Sequence, residues 1–395
     1  MRFLHTSDWH LGRTLHRTGL RDAQSAFLDH LVETARAEKV DAVLVAGDIY
    51  DRAVPSLDAV ALCEEALARL RATGARVIVI SGNHDSARRL GFSSALIDSS
   101  GVHLRTRPEA LADPVVLEDE HGPVAFYGIP YLDPAVGLPG RDVPDDRDAG
   151  EGDDTARGGV VRGHEASLGR AAKLIRADSA RRGQPRTVVM AHGWIHGGQG
   201  SDSERDISVG GVGSVSASLF DGFSYVALGH LHGQQTITDR MRYSGSPLPY
   251  SFSEAHHKKG TWLVEIEADG VPRVELVPAP VYRRLSVLSG RLDDLTGSRD
   301  YTGYEADFIA VTLTDTERPD RAMDRLRKRF PHILTLEFKP EGVTADTRRY
   351  GEKVAGKDDL AVAAEFVQHV RNTPPTAPEQ QLLLAAFEAA REVVR

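Results

Sequence analysis

The run Val40-Asp41-Ala42-Val43-Leu44-Val45-Ala46-Gly47-Asp48-Ile49-Tyr50-Asp51 decides the fold. Its first seven residues are apolar except Asp41, rich in valine and too short for a helix, so they read as a buried strand. Gly47 then turns the chain sharply and releases two carboxylates, Asp48 and Asp51. Outward from this run the pattern recurs. Arg2 to His5, Val77 to Ser81, Val124 to Ile129, Thr187 to Ala191 and Tyr225 to Leu228 are short apolar runs that end in Gly, Asp, Asn or His clusters.

Between them lie helical patterns. Ser56 to Thr73 puts Leu57, Val60, Ala61, Leu67 and Leu70 on one face, with Ser56 as N-cap and Gly74 as stop. Leu20 to Lys39 spaces Leu28, Leu31, Val32 and Ala35 helically, and a third helix spans His164 to Arg182. Alternating strands and helices give an α/β fold. Past Tyr225 the strands Gln234–Thr238, Met241–Gly245 and Thr261–Glu267 follow without a helix, as in an antiparallel sheet, so the fold is mixed. Arg141 to Gly163 is rich in Asp, Gly and Arg and reads as a mobile surface loop.

Pro278-Ala279-Pro280 marks a boundary. Beyond it, Phe308–Thr314, a helix around Asp320–Phe330 and Ile333–Phe338 form a small β-α-β unit. The domains expected are 1–279, 280–341 and 342–395. The last carries two amphipathic helices, Asp359–Val370 and Pro378–Val394, joined through Thr373-Pro374-Pro375-Thr376. The stripe Leu383, Ala386, Phe387, Ala390 and Val394 must pack on the protein's own body or on another chain, and the sequence favours the former.

Composition narrows the function. With 395 residues, 41% hydrophobic and 27% charged, the chain has the make-up of a globular enzyme. The single cysteine, Cys63, rules out a disulfide framework and a cysteine zinc site. The opening Met1-Arg2-Phe3-Leu4-His5 has no signal-peptide core, and no run approaches ~18 apolar residues, so a cytoplasmic protein without a membrane span is expected. The formal charge of −9 is the wrong sign for gripping DNA by a broad basic surface. Were the substrate a phosphodiester, metal ions or a partner would have to supply positive charge.

Metal-ligand side chains cluster at the strand ends: Asp8-Trp9-His10, Gly47-Asp48-Ile49-Tyr50-Asp51, Gly82-Asn83-His84-Asp85, His192-Gly193 and Gly229-His230-Leu231-His232. Parallel strands place their carboxyl ends along one edge, so these loops converge in one crevice, where seven ligands suit a two-metal site. The i, i+2 spacing in Asp8-x-His10 and His230-x-His232 turns both side chains of each pair to the same side. Taken singly, each segment is an ordinary turn or a solvated histidine, and His192 a hydrogen-bonded core residue. Their joint occurrence, in order, at five strand ends is what points to chemistry. Carboxylate, amide and imidazole ligands without thiolate favour Mn²⁺, Fe²⁺ or Zn²⁺ over Ca²⁺.

This ordered set resembles the calcineurin-like metallophosphoesterases. The segments Thr6–Gly12, Ala46–Asp51, Ser81–Ser86 and Tyr225–His232 are similar, more narrowly, to the nuclease subunits of bacterial SbcCD complexes. The resemblance implies a metallophosphoesterase β-sandwich flanked by helices, a β-α-β capping domain and a C-terminal helical pair. It implies two divalent ions, Mn²⁺ first among the candidates, one held by Asp8, His10 and His232, the other by Asn83, His192 and His230, with Asp48 bridging. Such a pair acidifies the attacking water and clamps the attacking and leaving oxygens. His84 would stabilise the transition state or protonate the leaving oxygen, and Asp51 would orient His84 through a carboxylate–imidazole hydrogen bond that raises its pKa. Arg52 is a phosphate contact or a structural ion pair. The implied activity is cleavage of DNA at duplex ends and at hairpins or blocked ends. Its partner would be an SbcC-like coiled-coil ATPase docked on the C-terminal helices of a homodimer within a heterotetramer. The rival readings are a stand-alone enzyme for phosphomonoesters or cyclic nucleotides, and a scaffold with a vestigial site.

Overall fold

Phe3 and Leu4 are neighbours, both fully buried, yet they belong to different cores. Successive side chains of a strand point to opposite faces, so a strand apolar on both must be covered on both. The computed structural model describes residues 1–138, 163–207, 214–341, 356–371 and 373–393, and these divide into two units, Met1–Tyr282 and Arg283–Arg395. In the first unit two six-stranded sheets lie face to face. One runs Pro272–Pro278, Gly260–Ile266, Arg2–Thr6, Ala42–Ala46, Arg76–Ile80 and Val102–Arg105. The other runs Gln235–Thr238, Met241–Tyr243, Tyr225–Gly229, Arg186–His192, Gly122–Ile129 and Val115–Asp119.

The middle core lies between the sheets. Phe3, Leu44, Ile78 and Ile80 meet Phe126, Val188, Met190 and Tyr225, and the Phe3 ring stands edge-on to Phe126 and Tyr225 at 5.6 and 5.7 Å. The alternate side chains Leu4, Val43, Val45, Val77 and Val79 pack outward on Phe27 and Leu31 of the helix Arg21–Ala37 and Cys63 and Leu70 of the helix Leu57–Ala72. On the far side Tyr127, Val189 and Leu228 pack on Leu168, Ala171 and Ile175 of the helix His164–Arg181. Ser56 caps its helix by accepting a hydrogen bond from the Ala59 N–H.

The strands Arg2–Thr6, Ala42–Ala46, Arg76–Ile80 and Val102–Arg105 are mutually parallel. So are Gly122–Ile129, Arg186–His192 and Tyr225–Gly229. Their carboxyl ends therefore carry the motif loops. Of the strands after Tyr225, Gln235–Thr238 and Met241–Tyr243 pair antiparallel as expected, but the rest of the run differs. Met241–Tyr243 pairs parallel to Tyr225–Gly229, and Gly260–Ile266 crosses to the other sheet to lie antiparallel to Arg2–Thr6. The intervening chain, Ser244 to Lys259, crosses beside the motif loops, which a strand-by-strand reading cannot foresee.

In the second unit Leu285–Gly290, Phe308–Leu313 and Ile333–Phe338 form a parallel three-stranded sheet, so the expected β-α-β unit gains a first strand and the helix Leu292–Gly297. Leu292, Leu295, Ile309, Val311, Leu326 and Phe330 make its core. The helices Asp359–Arg371 and Ala377–Val393 are tied by a two-pronged ion pair between Arg371 and Glu379, at 2.6 and 2.9 Å. Contrary to the expectation that their stripe is covered by the protein's own body, only Leu383 and Phe387 are half-buried, Ala386 and Ala390 are exposed, and Val394 lies outside the described residues. Of the acidic segment 141–163, only Gly163 is among the described residues. No helix among them is long and apolar enough to cross a membrane.

Candidate metal centre

Three of the five motif loops leave their strands through a left-handed backbone bend. Asp8, His10, Asp48 and His230 all have positive φ, at 53°, 44°, 52° and 106°, a conformation that side-chain-bearing residues adopt at a cost. Two glycines let the loops close on one another. A Cβ on Gly229 would lie 1.9 Å from the Ala46 carbonyl oxygen, and one on Gly82 would lie 2.1 Å from Asp48 Oδ1.

The structure brings Asp8, His10, Asp48, His84, His192, His230 and His232 together as a buried cluster, with Asn83 beside them. His10 Nε2 lies 3.0 Å from His232 Nε2 and 3.6 Å from Asp48 Oδ2. Asn83 Oδ1 lies 2.9 Å from His192 Nε2 and 3.2 Å from His230 Nδ1. Asp48 Oδ2 stands between the two groups, also 3.5 Å from His192 Nε2 and 3.9 Å from His84 Nε2. Asp8, His10 and His232 converge as one potential ligand set, and Asp8, Asp48 and His192 as another.

The electrostatics are those of a crowded polar site. Burial pushes Asp8 up to about 6, against the pull of His192 and His232. For Asp48 burial acts upward too, but His192, His10 and His84 outweigh it and hold the carboxyl well below the usual range. His192 is pushed up to about 9, its burial overcome by Asp48. Burial lowers His10 and His230.

The donor set fits divalent cations. Two imidazole nitrogens facing each other at 3.0 Å, with a carboxylate oxygen beside them, offer more lone pairs than protons. The Nε2 atom of His230 is buried without a hydrogen-bond partner, which a ligand would relieve. His192 donates its Nδ1–H to the Ala46 carbonyl at 2.9 Å, so Nε2 is the nitrogen an ion would take, in place of the proton it carries in the metal-free site.

The expectation for Asp51 requires correction. His84 donates its Nδ1–H to the backbone carbonyl of Asp51 at 2.8 Å, not to the carboxylate. The loop turns the carboxylate toward Arg13 and Arg52, each with its nearest nitrogen 3.7 Å away. Nor is the His84 pKa raised: burial lowers it, and Asp48 offsets this only in part. Arg52 stands outside the cluster with its side chain 81% exposed.

Several residues around the cluster are given no role by the motif pattern. Ser7 hydrogen-bonds Asp8, and Ser203, Glu204, Glu254 and Lys259 surround His232. Asp85 accepts the N–H groups of Ile49, Tyr50 and Gly82 at 3.1, 2.9 and 2.9 Å, so it fastens one motif loop to another. Ser7 and Asp85 stand inside the motif segments Thr6–Gly12 and Ser81–Ser86, whereas Ser203, Glu204, Glu254 and Lys259 lie outside all of them.

Residues 1–234 match the Calcineurin-like phosphoesterase family. Residues 281–371 match the SbcD C-terminal family, the Type 5 capsule protein repressor C-terminal domain. Among solved structures, TT1561 of Thermus thermophilus is similar with a TM-score of 0.37 at 14% identity, over 70% of this chain and 98% of that one. A dimetal phosphatase from Danio rerio is similar with a TM-score of 0.41 at 17% identity, over 70% of this chain and 95% of that one. Because the first match takes in more than half of the chain and every loop of the buried cluster, the chain belongs to the calcineurin-like phosphoesterases, with the second domain of an SbcD-like subunit.

Proposed function

We propose that this chain is the metal-dependent DNA nuclease subunit of an SbcC-like ATPase complex, hydrolysing phosphodiesters at duplex ends and at hairpins or blocked ends. The observation that carries the reading is the buried His, Asp and Asn cluster at the sheet edge of a chain whose residues 281–371 match the SbcD C-terminal family. Asp8, His10 and His232 would hold one divalent ion, Asn83, His192 and His230 the other, and Asp48 would bridge them; the ligands suit Mn²⁺, Fe²⁺ or Zn²⁺, and the family resemblance puts Mn²⁺ first. When bound, the pair neutralises the phosphodiester and acidifies the attacking water.

The protein's own groups do the rest. His84 is fixed by its Nδ1–H bond to the Asp51 carbonyl, which turns Nε2 toward the cluster. Nε2 is then unprotonated in the resting neutral ring; it would take up the proton released by the attacking water and, as imidazolium, pass it to the leaving oxygen or hydrogen-bond a non-bridging oxygen as charge develops. Asp51 acts through its backbone oxygen and pairs its carboxylate with Arg13, while the exposed Arg52 can reach a phosphate along the strand. Two cations at the centre, and a partner that adds grip elsewhere, answer the net charge of −9. In this reading residues 1–279 are the nuclease domain, 280–341 cap it, and 342–395 bind the ATPase in a cytoplasmic heterotetramer built on a homodimer.

The test offers purified protein Mn²⁺ with end-labelled duplex DNA, hairpin DNA and a chromogenic phosphomonoester. DNA cleavage should fall about 10²–10⁴-fold in His84→Ala and vanish in Asp48→Ala. Turnover of the monoester with intact DNA would replace the nuclease reading by that of a small-molecule phosphatase. Unchanged DNA cleavage in both variants would remove their assigned roles.

A further inference from the structure

Behind His232, on the side away from the cluster, lies a buried ion pair that the proposed chemistry does not use. Glu254 is 1% exposed, and the side chain of Lys259 is 8% exposed. Burying two charges costs several kcal/mol per ion before their attraction is counted, so such a pair is a poor device for stability alone. Its contacts show what it does instead. The Lys259 ammonium donates to Glu254, to the His232 carbonyl at 2.8 Å and to Ser246 Oγ at 2.9 Å. Ser203 Oγ–H donates to Glu254 and its oxygen faces His232 Nδ1, with Glu254 Oε1 itself 3.4 Å from that nitrogen. The His232 backbone N–H donates to Glu204 at 2.6 Å, and Ser201 ties down the other oxygen of that carboxylate. Thus the backbone N–H, the carbonyl and the inner ring nitrogen of this one residue are all held.

We infer that Glu254, anchored by Lys259 and relayed through Ser203, is a positioning residue that fixes the His232 imidazole as its Nδ1–H tautomer with Nε2 turned to the metal centre. Glu254 is an acceptor only, so the hydroxyl proton of Ser203 must point to it. The Ser203 oxygen is then left to accept, and His232 must carry its proton on Nδ1. Carboxylate partners of this kind orient a ligating imidazole and raise its basicity. The inference rests on the proposed metal centre, but its tautomer component is a property of the metal-free protein.

The test has two readouts. In ¹⁵N-histidine spectra of metal-free protein, His232 should appear as the Nδ1–H tautomer, identified by its loss in His232→Ala. In Glu254→Gln it should shift toward a tautomer mixture. In Mn²⁺ titration calorimetry, the binding event lost in His232→Ala should weaken about 10–100-fold in Glu254→Gln while the other event is kept. Ser203→Ala and the double variant Glu254→Gln with Lys259→Met leave no unpaired buried ion, and they should repeat the effect if the single Gln variant fails to fold. An unchanged tautomer, or Mn²⁺ events that weaken together in step with lost thermal stability, would overturn the inference. Failure of the wild-type protein to bind Mn²⁺ would sink the metal-centre reading, and the nitrogen spectra would then decide the relay by themselves.

Discussion

Replacing Asp85 tests whether the motif loops are held to each other or merely adjacent. Its carboxylate accepts three backbone N–H groups, two from the loop after Ala46 and one from the loop after Ile80. Hydrogen bonds to a charged group are each worth about 1.5–3 kcal/mol, so the gross loss in Asp85→Ala is about 4.5–9 kcal/mol. Opposing this, burial and the nearby Asp48 push the Asp85 carboxyl up to about 7, so part of that gain is already spent on holding the charge. The net expectation is set by the three backbone donors that Asp85→Ala strands, at the low end of about 1–3 kcal/mol each, so a loss of about 3 kcal/mol. Asp85→Asn separates the contributions. Its amide oxygen, placed at Oδ2, still accepts from Ile49 and Gly82, while its NH₂ faces the Tyr50 N–H, leaving one donor stranded at about 1–3 kcal/mol. Urea unfolding of the metal-free protein followed by tryptophan fluorescence reads this directly, because Trp9, Trp194 and Trp262 all lie in the first unit. An Asp85→Ala variant within about 0.5 kcal/mol of the control Asp239→Ala, at an exposed position, would refute the reasoning.

Two further outcomes are expected. Gly82→Ala places its Cβ 2.1 Å from Asp48 Oδ1 and 2.4 Å from the Asp48 backbone nitrogen, so calorimetry should show Mn²⁺ binding lost, whereas Gly19→Ala, with nothing within 4 Å, should bind as wild type. Asp178 lies under Tyr127, Arg181 and Arg182. Its burial acts upward, but the donated hydrogen bonds outweigh this and keep its folded pKa below the ordinary value. A depressed carboxyl stabilises above its unfolded pKa, so wild type should exceed Asp178→Asn in unfolding free energy at neutral pH. The gap should close as pH falls below about 4, and a gap independent of pH would exclude the charge as its source.

What was legible from sequence follows from how local each feature is. The strand and helix runs were readable because one face or two of each must be apolar, and the order of the motif segments followed from parallel strands sharing one edge. The face of the helix Leu57–Ala72 was not: it buries Ala59, Cys63, Ala66 and Leu70 and leaves Leu57, Val60 and Ala61 exposed. The Asp51 contact was not readable either. Which oxygen of a residue faces a neighbour depends on its backbone torsion, and the sequence records only that a carboxylate is present. Glu254 and Lys259 were invisible for another reason: they belong to the segment that crosses between sheets, where no periodicity announces a role. Leu285–Gly290 was passed over because its mixed Leu, Ser and Gly composition is a weak strand signal, rescued by its parallel neighbour Phe308–Leu313.

The left-handed backbone at Asp8, His10, Asp48 and His230 sets a direction for anyone engineering this protein. Glycine relieves such a conformation at no steric cost, and each of these positions withholds about 1–2 kcal/mol from folding. A library screened for heat resistance alone would therefore find some of its gains at the sheet edge, and each gain would delete a proposed ligand. Selection for durability and selection for turnover would pull these four positions in opposite directions, so the first residues a blind thermostability screen erases would be ones proposed to hold the ions.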